Sequence, residues 1–504
     1  MGISNSACLV FLGCPKNQVD SEHVLGSLTE AGYSLTTEPR SADLIVITTC
    51  AFLQSAVRES EAAIAEALKH KQGSASKKVV VAGCLVERYG KSLKSKFPAV
   101  DLWVPLADMP RIAQLITASR KPQASSSGQS AICNLQSEIC NHPVPSSLAP
   151  RPSPRVLSTP AHFAYLKIAD GCDNRCSYCM IPDIRGSFRS RPSRDIIAEA
   201  RELASAGVKE LILVAQDTTL YGTDLNGKPS LARLLTEIGK VEGIRWLRLM
   251  YTHPAHLTED VIDQFASNPK LCRYIDLPIQ HVADHLLAKM NRGYTHTDVE
   301  LLLESLRAIP DMHLRTTIIV GLPGETERDF SELLTFVRAA RFDRLSCYAY
   351  SPEPGTRAAR MSGQISPAKK KERVRHLMLA QATISRANLK KLVGRKLTVL
   401  VDALTDNRQV RQERQGAKPD RAEFREQIPE CRTDASAQST RSLEHSSTGA
   451  LSATGNSLCV GRTQWDAPEI DGVVKLTGRK VRPGRFVTAL VTGSSIHDLA
   501  ARPL

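Results

Sequence analysis

At 504 residues the chain is too long for one ordinary hydrophobic core, so two to four domains are expected. It has no run of about 18 apolar residues, which leaves no candidate membrane span, and its opening MGISNSACLVFLG lacks a basic leader, so a cytoplasmic rather than a secreted protein is expected. Thirteen cysteines then argue for reduced thiols and metal ligation over disulfides, while a formal net charge of +14 suits RNA or a ribonucleoprotein as partner, or solubility alone.

Residues 1–117 alternate strand and helix. ACLVFL, ADLIVIT and KKVVVA are apolar and β-branched enough for buried parallel strands. Between them, DSEHVLGSLTEAG and QSAVRESEAAIAEALKHK carry helical periodicity, acidic residues early and basic ones late. The pattern predicts an N-terminal α/β domain on a parallel sheet. Each strand runs into a cysteine: Cys14, Cys50 and Cys84. Ligands bind outside the carboxyl ends of strands in such sheets, so three cysteines 36 and 34 residues apart can share one crevice. One cysteine at a strand end is ordinarily a small apolar side chain. Three in register look like a tri-cysteine cluster site with one open iron.

Residues 118–160 are Ser-, Pro- and Ala-rich without periodicity and read as a linker; Cys133, Cys140 and His142 within it receive no ligand role. Residues 161–388 return to alternation, with strands AYLKIAD, ELILVAQ, WLRLMY, YIDLPI, HLRTTIIVG and RLSCYAY and helices such as RDIIAEARELASAG and DFSELLTFVRAAR. Six βα repeats suit a central open (β/α)6 barrel with function at the strands' carboxyl ends. The first strand runs into GCDNRCSYCMIP, where Cys172, Cys176 and Cys179 stand at Cys-x3-Cys-x2-Cys spacing beside Tyr178. Soft thiolates select zinc, copper(I) or iron–sulfur clusters. Structural zinc wants four closed ligands and four-cysteine cluster proteins fill every position. Three thiolates with a vacancy suit instead a cluster that binds a small molecule at its open iron. Gln216, Asp217, His253, Gln280, His281 and the GLPGET run from Gly321 to Glu325 end later strands. They are candidate cofactor or substrate contacts, although each alone also reads as a polar strand cap.

Residues 389–493 contain RKLTVLVD, GRTQWDAPEIDGVVKL and GRFVTALVTG, short strands that suit a small C-terminal antiparallel β-barrel. A low-complexity insertion rich in Arg, Gln, Ser and Thr interrupts it at 405–457 and reads as a solvated loop.

The 172–179 loop resembles that of the radical S-adenosylmethionine enzymes. Through LGCPKNQVDSE, TTCAF, VAGC, GCDNRCSYCMIP, GLPGET and a TRAM-like terminal barrel, nearly the whole chain resembles the methylthiotransferases. The resemblance implies two [4Fe-4S] clusters and S-adenosylmethionine as cofactors. Cys172, Cys176 and Cys179 would hold the cluster that cleaves S-adenosylmethionine to a 5′-deoxyadenosyl radical. Cys14, Cys50 and Cys84 would hold an auxiliary cluster that carries or positions sulfur. The same resemblance sets Tyr178 near the adenine, and Gln216, Asp217, Gly321, Pro323, Gly324 and Glu325 along the cofactor. LGCPKNQVDSE, IRGSFRSRP and DAPEIDG resemble the branch whose substrate is the β-carbon of an aspartate in small-subunit ribosomal protein S-twelve. That branch implies the small ribosomal subunit as partner, with an electron donor and a sulfur source besides. Two alternatives stay open: methylthiolation of transfer-RNA adenosines, which the basic charge suits as well, and a non-catalytic iron–sulfur RNA-binding module.

Overall fold

The computed structural model describes residues 5–72, 76–119, 155–405, 458–478 and 481–504. Most of the expected linker, with Cys133, Cys140 and His142, lies outside the described residues, as does the expected insertion apart from Thr405. The chain divides into two compact units. The first comprises residues 1–244, 289–292 and 351–360, and the second residues 245–288, 293–350 and 361–504.

In the first unit, β1 (Ser6–Phe11), β2 (Ser34–Thr36), β3 (Leu44–Thr49), β4 (Lys78–Gly83) and β5 (Leu102–Val104) form an all-parallel sheet in the order β2-β1-β3-β4-β5. The β3 run LIVITT is buried throughout, as expected of a central parallel strand covered on both faces. Its pleat divides the core: Ile45 and Ile47 pack with Val79 and Val81 on one face, Leu44 and Val46 with Val80 and Ala82 on the other. Each such Val, Leu or Ile side chain contributes about 1.5–3 kcal/mol by leaving water. The short edge strands β2 and β5 were not expected, because three residues are too few to show a period. The same unit holds β6 (Phe163–Lys167) paired in parallel with β9 (Glu210–Val214), and an antiparallel two-stranded clip, β7 (Ala169–Asp170) with β8 (Arg189–Ser190), that brackets the 172–179 loop.

The second unit holds four parallel strands in the order β13-β12-β11-β10: β10 (Trp246–Leu249), β11 (Leu271–Asp276), β12 (His313–Val320) and β13 (Arg344–Ala349). With β6 and β9, all six strands expected of the central domain are present. After β12 the GLPGET turn leads into helix Glu327–Ala340, whose Thr326 and Asp329 form a reciprocal capping box. β14 (Lys396–Thr405), β15 (Leu458–Arg462), β16 (Val474–Leu476), β17 (Phe486–Ser494) and β18 (Leu499–Pro503) close a barrel in the order β14-β15-β16-β18-β17. Val399, Val401, Cys459, Ala489 and Val491 fill its interior. β18 lies past residue 493, where the sequence reading ended, and its pairing with β16 is parallel rather than antiparallel. Among the described residues no helix is long and apolar enough to cross a membrane.

The stretch GRTQWDAPEIDGVVKL is not a continuous strand. β15 stops at Arg462 and β16 starts at Val474, and the loop between them is buried against β10–β13. Asp466 accepts from Arg344 at 2.5 Å, and Asp471 accepts from Arg315 at 2.9 Å and from the Tyr274 hydroxyl at 2.7 Å. The Trp465 ring stacks on His313, centroids 4.2 Å apart and planes 10° from parallel. Burial pushes the His313 imidazole below its ordinary value, and the nearby Arg344 acts in the same direction, outweighing Asp343, Asp466 and the Asp311 carbonyl. The folded state therefore favours the neutral ring. Its contribution is complete above the unfolded value of about 6.5 and is lost as pH falls toward the lower folded value. Thermal melts between pH 7 and pH 5 are expected to show a shallower loss of stability in His313→Phe, which keeps the stack, than in the parent. Equal slopes would show that this ring does not titrate with unfolding.

Candidate metal centres

Cys14 caps the N-terminus of helix Pro15–Glu30, Cys84 is the first residue of helix Cys84–Lys96, and Cys50 follows β3 ahead of helix Gln54–Lys71. Side chains and backbone, not thiols, close these turns on one another. Asn17 Nδ2 donates to the carbonyls of Leu12 and Thr49. Thr49 Oγ1 donates to the Ala82 carbonyl and accepts from Leu85 N–H. Ser60 Oγ accepts from Cys50 N–H and donates to its carbonyl. Gly83 has φ +100° and a Cβ there would meet the Thr49 carbonyl at 3.2 Å, so only glycine brings β4 to Cys84 without strain.

The three sulfurs feel one another's charge. Burial pushes the Cys84 thiol up to about 12 against the opposing Arg185, and burial raises Cys50 too. At Cys14 burial acts the same way, but Lys16, Arg185 and the N–H groups of Asn17 and Lys16 outweigh it and bring the thiol below its ordinary value. A buried cation thus faces a set of thiols of which Cys50 and Cys84 hold their protons unless a metal takes the protons' place.

The 172–179 loop is anchored as densely. Gly171 has φ +78° and a Cβ there would lie 2.1 Å from the Ser187 carbonyl, so the turn into Cys172 demands glycine. Asp217 accepts from Asn174 Nδ2 at 2.8 Å and from Thr219 N–H. Ser177 N–H donates to the Met290 carbonyl, and the Asn174 carbonyl accepts from Asn291. Arg175, in the left-handed region at φ 48°, is held through its carbonyl by Asn291 and Arg357. Burial pushes Cys172 up to about 11 and Cys179 up to about 12, and the Ile181 N–H donates to Cys179 Sγ. Arg292 Nη1 donates to Cys176 Sγ at 3.4 Å, as Arg185 Nη2 does to Cys84 Sγ at 3.5 Å.

All six cysteines lie in the first unit and none is in a disulfide. Soft thiolates in threes are a donor set that fits an iron–sulfur cluster in each place. One segment, residues 351–360, touches both cysteine loops: Glu353 accepts from Gln54 N–H and pairs with Arg88, which donates to the Ala51 carbonyl, while Ala358 N–H donates to the Ser177 carbonyl.

The remaining predicted residues divide. Tyr178 is half-buried in the loop between its cysteines. Gln216 donates to Asp170 at 3.0 Å, while its buried Oε1 has no hydrogen-bond partner among the described residues. In the second unit Gly321 and Gly324 take φ +82° and +83° in the turn after β12, with Pro323 between them. Glu325 folds back into that turn, accepting from Gly321 N–H and pairing with Arg373 at 3.2 Å. Sequence reasoning missed Asp20, Lys167, Asp170, Arg185, Arg292 and Glu353. Asp20 and Arg185 stood inside quoted motifs, but no local spacing marks their partners.

Residues 6–105 match the model described as Uncharacterized protein family UPF0004, residues 166–337 the Radical SAM superfamily, and residues 452–504 the TRAM domain. Among solved structures the fold is similar to the radical S-adenosylmethionine methyltransferase TsrM from Kitasatospora setae, at a TM-score of 0.50 and 16% identity over 69% of this chain and 72% of that one. Fold and cysteine loop together define a radical SAM protein. Proteins named ribosomal protein uS12 methylthiotransferase RimO are 38% identical in Geobacter sulfurreducens, over 97% of each chain, and 41% identical in Anaeromyxobacter sp. strain Fw109-5, over 97% of this chain and 91% of that one. This chain belongs to that RimO family of radical SAM methylthiotransferases.

Proposed function

We propose that this protein transfers a methylthio group to the β-carbon of an aspartate in ribosomal protein uS12, with Cys14, Cys50 and Cys84 holding one [4Fe-4S] cluster and Cys172, Cys176 and Cys179 the other. The observation that carries the reading is the pair of three-thiol sites in one unit, each with a buried arginine on one sulfur. When bound, the cluster on the 172–179 loop and S-adenosylmethionine supply the radical chemistry, and the other cluster supplies the site for sulfur. The chain's own part is placement. Asp217 and Asn291 fix the radical loop, Asn17, Thr49 and Ser60 fix the other triad, and the 351–360 segment spans both. Gln216 Oε1, at the carboxyl end of β9, offers an unpaired acceptor to S-adenosylmethionine. Tyr178, Asp217, Gly321, Pro323, Gly324 and Glu325 are assigned to the same cofactor on family resemblance. The partner is uS12 or the small subunit in the cytoplasm, served by an electron donor and a sulfur source. Peptide mass analysis of uS12 from a deletion strain is expected to show loss of the methylthio increment. An unchanged uS12, with the group missing from transfer-RNA nucleosides instead, would end this reading.

A further inference from the structure

We propose that Arg185 is a positioning residue that sets the electrostatics of the Cys14–Cys50–Cys84 site and ties that site to the strand leading into the radical loop; this rests on the assignment of those cysteines as cluster ligands. Arg185 ends the short helix Ile181–Arg185 that follows Cys179, and its side chain is 2% exposed. One end of the guanidinium, Nη2, donates to Cys84 Sγ at 3.5 Å. The other, Nη1, donates to Asp20 Oδ2 and to both carboxylate oxygens of Asp170, each at 3.1 Å. Lys167 completes the group, donating to the same two carboxylates.

The buried Arg185 guanidinium, the half-buried Lys167 ammonium and the half-buried Asp20 and Asp170 carboxylates sum to zero, yet they are not mixed at random. The carboxylates sit on the far side of the guanidinium, so its positive edge is what Cys84 meets. A guanidinium holds its proton at every working pH, and here Asp20 and Asp170 pair with it directly. A fixed cation donating to a ligand sulfur makes an added electron on the cluster less costly, since net charge and hydrogen bonds to sulfur set cluster potentials. Asp20 lies on the helix that starts beside Cys14, and Asp170 on β7 two residues before Cys172. The same guanidinium therefore fastens one cysteine site to the root of the other.

The test uses the full chain with Cys172, Cys176 and Cys179 replaced by alanine, so that only the N-terminal site loads iron. Its potential is read by EPR-monitored redox titration. Arg185→Met is expected to disfavour reduction at least tenfold, or ~59 mV for one electron. Arg185→Lys, which keeps the charge, is expected to recover most of that shift. Because Arg185→Met leaves Lys167 facing two carboxylates and so one negative charge uncompensated, Asp20→Asn/Arg185→Met restores the charge balance. It is expected to regain the thermal stability of the metal-free protein while its potential stays low. A potential unchanged in Arg185→Met, or lowered equally in Arg185→Lys, overturns the inference and leaves the ligand assignment standing. Failure of the protein with Arg185 intact to load any cluster overturns the ligand assignment, and the inference with it.

Discussion

Alanine at Cys14, Cys50 and Cys84 together is expected to halve the iron bound after anaerobic reconstitution, abolish methylthio transfer to uS12 and leave 5′-deoxyadenosine formation intact. The reason is that, besides the shared Arg185 and 351–360 segment, each triad has supports of its own. The first is closed by Asn17, Thr49 and Ser60, whose hydrogen bonds run to backbone groups and involve no thiol. The second is closed by Asp217, Asn291 and the Gly171 turn. Deleting the first set of sulfurs removes one donation from Arg185, which keeps its bonds to Asp20 and Asp170, so the loop beyond Cys179 retains its anchor. Alanine at Cys172, Cys176 and Cys179 is expected to abolish both activities while retaining half the iron. Iron content and 5′-deoxyadenosine are the two measurements. Iron at the parent level in the first variant, or loss of its deoxyadenosine, would contradict the assignment.

The second large effect concerns the terminal barrel. Asp471→Ala is expected to destabilise the second unit by about 3–5 kcal/mol, the usual cost of removing one partner from a buried ion pair. Asp471 is 1% exposed in its side chain and takes Arg315, the Tyr274 hydroxyl and Ala467 N–H at 2.7–2.9 Å. Without it, among the described residues, Arg315 keeps Asp276 at 3.3 Å and Ser346. Burial raises the Asp471 pKa, but Arg315 and Arg344 outweigh it and hold the carboxyl below its usual range. That contribution is complete above the unfolded value of about 3.9 and is lost as pH falls through the lower folded value, so the parent gains an acid-dependent loss of stability that the variant lacks. Urea denaturation at neutral and acid pH reads both effects. Parent-like stability with loss of uS12 modification would instead make DAPEIDG a substrate-docking loop.

That loop shows where sequence reading stops. DAPEIDG carried the resemblance to one family branch, yet nothing in its composition distinguishes a barrel strand from a clamp packed on β11–β13. The parallel strands of the N-terminal sheet were legible because burial on both faces makes them uniformly apolar, and helix Gln54–Lys71 because its period survives over 18 residues. β2, β5 and β18 were not, being three residues long or broken by Arg and Pro.

The six cysteines proposed as ligands were singled out by the sequence itself: three through spacing within one loop, three because every βα turn of a parallel sheet opens at the same edge. What only the tertiary structure decided is which charges stand beside them. Arg185 and Cys84 are 101 residues apart, Arg292 and Cys176 are 116, and Glu353 and Gln54 are 299. Pairings at such separations follow from how helices and loops pack, not from any local period. The chemistry of the proposed ligands is therefore written along the chain, while the field around them exists only once it is folded.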